Sequence, residues 1–371
     1  MEIFRSPELL VKDRRRHASG CCVVTFESYT DSRTLDRPGF GEAFFDANGI
    51  DAIHIVPRNN DWYQYQEIDE ACRRVRALTA SYSHVVAYGQ SMGGYGAIRL
   101  GGRVGAQMAL AISPQFSIDP AVVPFEPRWA GDSARIDFGT ERSAGHTFVA
   151  KAYVAYDPHD LDARHVELYR PCTEIIDIRL PYCGHPASGF MVDTGILQQA
   201  ILDLCHGALD IPALRARARL ARHTSPILYA NLAARCRHLP RRVRLSAKAS
   251  ALSPGDPSLL GQYAFTLAHN DQFDKALSIF EVARADGSIN AQMRYWESEV
   301  HRLHGDLAKA IVVAEEALAL DPEASVFIDR IKKLKALQSP TEPPLHSVTP
   351  SLGARLRALL QKPLRLGAKK A

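Results

Sequence analysis

The sequence lacks the features that mark secreted, disulfide-bonded and membrane-spanning proteins. Its seven cysteines are odd in number and form no C-x-x-C pair, which argues against a disulfide framework and predicts free thiols in a reducing compartment. The apolar run that follows the charged N-terminus, residues 21–26, is far too short for a signal peptide or a membrane span. We therefore expect a cytoplasmic protein without a transmembrane segment.

The composition is that of a globular protein, but its charge is unevenly distributed. The 371 residues are 46% hydrophobic and 23% charged, which excludes a disordered or collagen-like chain, and the length predicts two domains. Residues 1–210 contain 20 Lys and Arg against 27 Asp and Glu, a net charge of −7, whereas residues 211–371 contain 25 against 14, a net charge of +11. This division predicts two units with different surroundings or partners.

The first half alternates short apolar runs with segments of helical spacing. The apolar runs, rich in β-branched residues, are 21–26, 50–56, 84–88, 107–112, 147–156 and 173–180. The helical segments are 40–48, 65–82, 93–103 and 191–205. Strands that are apolar throughout and alternate with helices predict an α/β fold with a doubly wound, mostly parallel sheet. In such sheets ligands bind beyond the carboxyl ends of the strands.

The segment after the third apolar run carries a G-x-S-x-G motif. Gly89-Gln90-Ser91-Met92-Gly93 lies between a predicted strand and a predicted helix, which is the setting of a nucleophile elbow. The serine sits on a sharp turn, and the two glycines remove side chains that would otherwise collide there. A chance loop is the alternative, but the flanking strand and helix argue for the elbow.

A nucleophilic serine needs a general base and an acid that orients it. His185 follows the last predicted strand and is the candidate base. The preceding strand is followed by three aspartates, Asp157, Asp160 and Asp162, and we favour Asp160 because a loop of four residues can curl back over the sheet. The other two stay open as acids, and Asp160 or Asp162 could instead cap the helix predicted at 162–169.

The oxyanion hole is predicted to use the backbone N–H of Met92, the residue after the nucleophile. A second donor should come from the loop after the first predicted strand, where Phe26 and Glu27 lie. No H-G-G-G segment is present, so the second donor is left open.

Three further residues follow strands at the same predicted edge. Trp62, Tyr63 and Gln115 are candidates for contact with the substrate, with ordinary loop packing as the alternative. The stretch between Ser113 and His146, with prolines at 120, 124 and 127, leaves room for only a small cap over the site.

On these motifs, the chain up to about residue 210 resembles the α/β-hydrolase family, with Ser91, Asp160 and His185 matching its nucleophile, acid and base. The resemblance implies a serine hydrolase that forms an acyl-enzyme on a small-molecule or saccharide ester, or on a thioester, and that needs no cofactor or metal. The second choice is an O-acyltransferase that passes the acyl group to a sugar or polysaccharide, which the elbow motif does not distinguish from a hydrolase. A catalytically silent scaffold is the alternative from another functional class.

The second half contains an internal repeat with a period of 34 residues. Equivalent positions are Ala264 and Ser298, Ala276 and Ala310, Phe280 and Ala314, Ala283 and Ala317, and Pro254, Ser288 and Pro322. Small residues at these positions let antiparallel helices approach closely. Residues 223–327 resemble tetratricopeptide repeats, which implies a surface that binds a peptide or protein partner.

Positive charge is concentrated in residues 211–250, which contain nine arginines, one lysine and no acidic residue. This segment is interpreted either as a patch for an acidic partner, an anionic polymer or a membrane surface, or as a solvated helix face next to the acidic first half. Nucleic acid is disfavoured because no reading motif accompanies the charge. The predicted organisation is therefore a catalytic domain at 1–210, a repeat domain at 211–335 and a flexible basic tail at 336–371, whose segment 352–366 could touch a membrane surface.

Overall fold

The computed structural model describes residues 1–143, 147–207, 209–322 and 324–338. The chain divides into two compact units, residues 1–289 and residues from 290 onward. This division lies inside the helical domain predicted at 211–335, and the domain boundary at residue 210 stays a prediction. The tail predicted from residue 336 lies outside the described residues after residue 338.

The first unit contains one eight-stranded sheet. Its strands are β1 (Glu2–Arg5), β2 (Leu9–Asp13), β3 (Cys21–Phe26), β4 (Asp51–Pro57), β5 (His84–Gln90), β6 (Met108–Ile112), β7 (Lys151–Tyr156) and β8 (Glu174–Arg179). The order across the sheet is β1-β2-β4-β3-β5-β6-β7-β8. The contacts of β2 with β1 and β4 are antiparallel, and all the others are parallel. The predicted α/β fold with a mostly parallel sheet is confirmed.

Helices connect the strands. In chain order they are α1 (Glu42–Ala47), α2 (Ile68–Thr79), α3 (Met92–Arg99), α4 (Ala130–Ser133), α5 (Gly139–Ser143), α6 (Asp162–Tyr169), α7 (Ser188–Asp193) and α8 (Leu197–Cys205). Two buried apolar clusters form the core, one built around Phe26, Ile55 and Ala97 and the other around Val86, Ile112 and Met191. Successive residues of β3 belong to opposite clusters, which explains why that strand is apolar throughout.

The N-terminal hairpin of β1 and β2 is not predicted from the sequence. These strands are short, and β2 ends in the charged pair Lys12 and Asp13. A brief run with polar residues at its end gives little periodic signal, although Leu9, Leu10 and Val11 are completely buried against the sheet.

Parallel pairing of the strands places the loops with the candidate site residues at one edge of the sheet. Four neighbouring strands, β5, β6, β7 and β8, run in the same direction. Their carboxyl ends are followed by Ser91, Gln115, the aspartates 157–162 and His185, respectively. The sheet therefore brings residues that are far apart in sequence into one region.

Helices occupy the rest of the described chain. In the first unit they are α9 (Ile211–Ala221), α10 (Pro226–Arg235), α11 (Leu239–Leu252), α12 (Pro257–Ala268) and α13 (Phe273–Ala285). In the second unit they are α14 (Ala291–Leu303), α15 (Leu307–Leu320) and α16 (Ser325–Gln338).

The 34-residue register corresponds to equivalent buried positions in these helices. Ala276, Phe280 and Ala283 on α13 are buried, as are the matching alanines 310, 314 and 317 on α15. Within the second unit, the Ser298 hydroxyl donates to the Ala310 carbonyl at 2.7 Å, which ties α14 to α15. The helices are therefore similar to tetratricopeptide repeats, as predicted.

Candidate active site

Ser91 occupies the turn between β5 and α3. Its φ of 52° and ψ of −118° place a non-glycine residue in a strained backbone region that is typical of a nucleophile elbow. Its backbone N–H donates to the Ile112 carbonyl at 2.8 Å, which anchors the turn to β6. The side chain is only 4% exposed, so the hydroxyl lies inside the protein surface.

The two glycines of the motif are needed because neighbouring backbone atoms lie close to them, and not because the serine side chain needs space. A Cβ at Gly89 would lie 2.2 Å from the Gly93 carbonyl oxygen, and a Cβ at Gly93 would lie 2.3 Å from the Phe26 carbonyl oxygen. Any larger residue at either position would push β5, α3 and the loop after β3 apart. The prediction that glycine is needed there agrees with the structure, but the colliding groups are backbone atoms.

His185 and Asp162 complete a chain of hydrogen bonds from Ser91. The Ser91 Oγ lies 3.1 Å from His185 Nε2, and His185 Nδ1 lies 2.8 Å from Asp162 Oδ2. The carboxylate on Nδ1 favours the tautomer in which Nδ1 carries the proton and Nε2 is free to accept the serine proton. This arrangement can activate a serine hydroxyl for attack on a carbonyl carbon.

Asp162 is held in its charged form. Complete burial favours the neutral acid and alone would raise its pKa, but the hydrogen bond and electrostatic interaction with His185, together with the positive charge of Arg128, hold the pKa below its usual value. An ionised carboxylate on Nδ1 would stabilise the imidazolium formed during proton transfer.

The prediction that Asp160 orients His185 is corrected by these contacts. Asp160 lies in the turn before α6, where its carboxylate accepts from the Leu161 N–H and contacts Arg128 and Arg235 at 3.2 and 3.3 Å. Asp162 instead begins α6, and the first helical turn directs its carboxylate to the histidine. The loop does curl back over the sheet, but it does so two residues later than expected.

Asp157, the third candidate, organises the loop that carries His185. Its completely buried carboxylate accepts from the N–H groups of Tyr182 and Gly184, each at 3.1 Å, and from the His159 N–H at 2.9 Å. The first two hydrogen bonds fix the backbone immediately before His185. Asp157 thus supports the position of the histidine without contacting it.

Arg128 links the acid to a second buried pair. Its guanidinium lies 2.9 Å from Asp162 Oδ1 and 2.6 Å from Glu126 Oε2. Glu126 also contacts His165 Nε2 at 2.9 Å, and His165 Nδ1 accepts from the Phe116 N–H. Burial would raise the pKa of Glu126, but the hydrogen bonds from His165 and Arg128 outweigh it and lower the pKa to about 2.

A helix of the basic segment contacts the loop that carries His185. Arg235, the last residue of α10, donates to Asp157 Oδ2 at 2.9 Å, and its guanidinium lies 5.7 Å from the centre of the Tyr182 ring. A Cβ at Gly184 would lie 2.6 Å from the Asn231 amide, so α10 also packs closely against the residue before His185. The segment 211–250 is therefore partly a structural support of the site.

The three predicted substrate residues lie at the site, and each of them has a structural partner. Gln115 is buried, and its Oε1 lies 3.3 Å from both Ser91 Oγ and Trp62 Nε1. Tyr63 is buried, and its hydroxyl donates to the Glu27 carbonyl at 2.8 Å. Tyr63 thus holds the loop after β3 in place and Trp62 orients Gln115, and contact of the three residues with a substrate stays a prediction.

An aromatic cluster adjoins His185. The Trp129 ring centre lies 6.0 Å from that of His185 and 5.3 Å from those of both Tyr29 and Trp62. The Trp129 indole nitrogen is buried, with no hydrogen-bond acceptor among the residues that the structure describes. Tyr29 is 37% exposed, so the cluster extends from the protein surface to the histidine.

The predicted oxyanion hole remains a prediction. Met92 begins α3 immediately after Ser91, and the loop containing Phe26 and Glu27 lies against Gly93 in the first turn of that helix. The backbone groups expected to donate are therefore in the expected neighbourhood.

Sequence reasoning missed Glu126, Arg128, Trp129 and Arg235. The first three lie in the proline-containing stretch between β6 and β7, where local periodicity gives no signal. The described part of that stretch contains only the short helices α4 and α5. A possible signal was the clustering of charged and aromatic residues after a strand end, which is typical of binding loops.

Within the described ranges, no group of three or more His, Cys, Asp or Glu side chains is arranged to hold a metal ion. The helices of the same ranges are all too short or too polar to cross a membrane.

Comparisons with known proteins give only distant similarities. No family model and no curated protein matches the sequence. Among solved structures, the capsule O-acetyltransferase of Neisseria meningitidis serogroup A is 11% identical, with 53% of this chain and 93% of that chain covered and a TM-score of 0.37. A serine hydrolase without lid from Xanthomonas campestris is 14% identical over 57% of this chain and 86% of its own, with a TM-score of 0.30.

The helical region also has a distant structural neighbour. A thermophilic TPR protein of Thermus thermophilus is 21% identical, with 38% of this chain and 78% of that chain covered and a TM-score of 0.27.

Proposed function

We propose that the protein is a serine-dependent acyl hydrolase that cleaves an ester or thioester bond. The supporting observation is the continuous hydrogen-bonded series of Ser91, His185 and Asp162 on a strained elbow. Each residue comes from the carboxyl end of a different strand, so a rigid sheet sets their separation.

In the proposed reaction, Ser91 Oγ attacks the acyl carbonyl carbon while His185 Nε2 takes the hydroxyl proton. Asp162 orients His185 and stabilises the imidazolium. The Met92 N–H, with a donor from the loop after β3, would bind the oxyanion. His185 then donates its proton to the leaving alcohol or thiol, and water attacks the acyl-enzyme in the reverse sense. No metal or redox cofactor enters this sequence of steps.

Acyl transfer to a hydroxyl acceptor, such as that of a sugar, is the second candidate. The aromatic cluster beside His185 favours it because aromatic faces offer apolar contact to a sugar ring. The buried Trp129 N–H lacks an acceptor among the described residues, and leaving such a group unpaired costs about 1–3 kcal/mol. A polar substrate group could supply that acceptor.

A fluorophosphonate probe tests the shared first step. We expect rapid labelling of the wild-type protein and none of Ser91→Ala, with Ser117→Ala as the control because Ser117 is a buried serine outside the series. An unlabelled, correctly folded wild-type protein would reject catalysis and favour the scaffold alternative. Labelling that persists in Ser91→Ala would place the nucleophile elsewhere.

Product analysis then separates the two candidates. A panel of short-chain, long-chain and thioester substrates is incubated with and without a high concentration of saccharide acceptor. Release of free acid that the acceptor does not change supports hydrolysis, whereas acylated saccharide formed at the expense of free acid supports transfer.

We also propose a reducing compartment such as the cytoplasm, because all seven cysteines are free. The helical repeats are proposed to bind a protein or acidic partner. Gel filtration of the full chain with a candidate partner at low and high salt tests this proposal, since a charge-driven complex weakens as salt rises.

A further inference from the structure

A cavity lies in the first unit, beside the loop that leads to His185. It has a volume of about 630 Å³ and is formed by α9, α10, α11 and the residues that follow β8. None of Ser91, His185 and Asp162 lines it. A cavity of this size fits a small molecule rather than a segment of a macromolecule, since small-molecule sites are typically a few hundred to about 1,000 Å³.

The floor of this cavity is apolar. It is lined by side chains that are themselves buried in the protein, including Leu180, Phe190, Ala218 and Leu228. The aromatic rings of Tyr182 and Tyr229 also line it. A ligand therefore needs an apolar or aromatic body to replace water on this surface.

The rim of the cavity is strongly basic. Five of the fifteen lining residues are arginines and none is acidic: Arg179, Arg215, Arg219, Arg222 and Arg241. Arg215 and Arg219 lie four residues apart on α9 and so share one helix face.

The arginines differ in their partners. Arg179 donates to the Tyr156 hydroxyl and lies 3.6 Å from Asp177. The other four have no carboxylate partner anywhere in the described ranges of the chain. Repulsion among these four positive charges is unfavourable in the free protein. A bound anion would make the electrostatic energy of the cluster favourable.

We propose that this cavity binds a small molecule that carries two or more phosphate groups on an apolar or aromatic body. The planar guanidinium forms paired hydrogen bonds with phosphate oxygens, which explains the use of arginine rather than lysine on the rim. The phosphates lie among the arginines, and the body lies on the apolar floor beside the tyrosine rings. This assignment does not depend on the proposed catalytic function.

Titration of the full-length protein with four soluble compounds tests the proposal. ATP and coenzyme A carry several phosphates on an organic body, tripolyphosphate has the charge alone, and adenosine has the body alone. We expect ATP or coenzyme A to bind at least about tenfold more tightly than tripolyphosphate, and adenosine to bind weakest, by isothermal titration calorimetry. Comparing ATP with coenzyme A distinguishes a nucleotide triphosphate from a phosphorylated carrier.

Matched arginine variants locate the site. Arg219→Ala and Arg241→Ala are expected to weaken binding about tenfold each, because each removes a charged hydrogen-bond donor to phosphate. Arg237→Ala is the control, since Arg237 is an exposed arginine of the same basic segment that does not line the cavity.

Three results would overturn the proposal. One is the failure of ATP and coenzyme A to bind. Another is an equal loss of binding in Arg219→Ala, Arg241→Ala and Arg237→Ala, which would show a diffuse charge effect of the kind that an acidic protein partner would use. The third is that tripolyphosphate binds as tightly as ATP and coenzyme A, because the apolar floor would then contribute nothing to affinity.

Discussion

The proposed catalytic cluster, which consists of Ser91, His185 and Asp162 with the charged residues around them, and the arginine-lined cavity are both rich in charge, but the charges are arranged differently. In the catalytic cluster, Arg128 contacts Glu126, Asp160 and Asp162, so one cation is surrounded by carboxylates. At the cavity, four arginines have no carboxylate partner among the described residues. A network of paired opposite charges holds side chains in one geometry. A cluster of like charges without partners is instead typical of a surface that binds an oppositely charged ligand.

The two regions meet at the loop before His185. Tyr182 lines the cavity with its ring, while its backbone N–H donates to Asp157 beneath the catalytic loop. Arg235 contacts both this ring and the Asp157 carboxylate. The following variants separate what each contact contributes.

The largest effect on activity is expected at Asp162 and distinguishes this residue from Asp160. Asp162→Asn should slow fluorophosphonate labelling and kcat by about 10⁴-fold, because an amide does not stabilise the imidazolium and favours the wrong histidine tautomer. Asp160→Asn should slow them less than about tenfold, since Asp160 does not contact His185. The opposite ranking in two equally stable variants would restore the original prediction of Asp160 as the acid.

Arg128 is expected to be a positioning residue. Arg128→Gln should lower kcat by about 10²-fold with little change in KM, because a displacement of Asp162 of about 1 Å misaligns His185. Arg128→Lys should recover part of the loss by keeping the charge. Arg135→Gln serves as the control, as its guanidinium is mostly exposed and pairs with Asp132. A rise in KM with normal kcat would show that Arg128 binds substrate instead.

A smaller effect is expected at the junction with the basic segment. Arg235→Ala removes a donor from the buried Asp157 carboxylate and should lower kcat by roughly tenfold, since a loosened Asp157 no longer fixes the His185 loop. Steady-state kinetics of Arg235→Ala and of the control Arg237→Ala, measured under the same conditions, provide the comparison. Equal kinetics in the two variants would show that α10 does not support catalysis.

The smallest effect concerns stability at acid pH. The pKa of Glu126 is lowered from 4.5 to about 2, so its stabilising charge is fully present above about pH 4.5 and is lost as pH falls towards about 2. Glu126→Gln should therefore be less stable than the wild type at neutral pH, and the difference should shrink over this range. Urea unfolding at several pH values measures it, and a constant difference would contradict the assigned ionisation.

The sequence specifies the nucleophile and base more clearly than the acid. Ser91 lies at a fixed place in a local motif, and His185 follows the last strand of the sheet. The choice between Asp160 and Asp162 depends on where the loop turns into α6, and a capping aspartate and a catalytic one have the same local pattern. Here the residue at the helix start is the one that reaches the histidine.

Long-range contacts explain the other omissions. Arg128 and Asp162 are 34 residues apart, and Arg235 and Asp157 are 78 apart, so no short pattern relates them. The mostly parallel sheet was predictable because most of its parallel strands are largely apolar and alternate with helical segments. The β1–β2 hairpin was not, since tertiary burial rather than periodicity defines it.

The most direct test of the proposed catalysis is mass spectrometry of the intact protein, quenched in acid during reaction with an activated short-chain ester. We expect one acyl adduct, located on the peptide that contains Ser91 and absent from Ser91→Ala. Its hydrolysis should be slowed in Asp162→Asn. Turnover of the ester with no adduct on Ser91, or with an adduct on another residue, would contradict the catalytic role of the Ser91, His185 and Asp162 series.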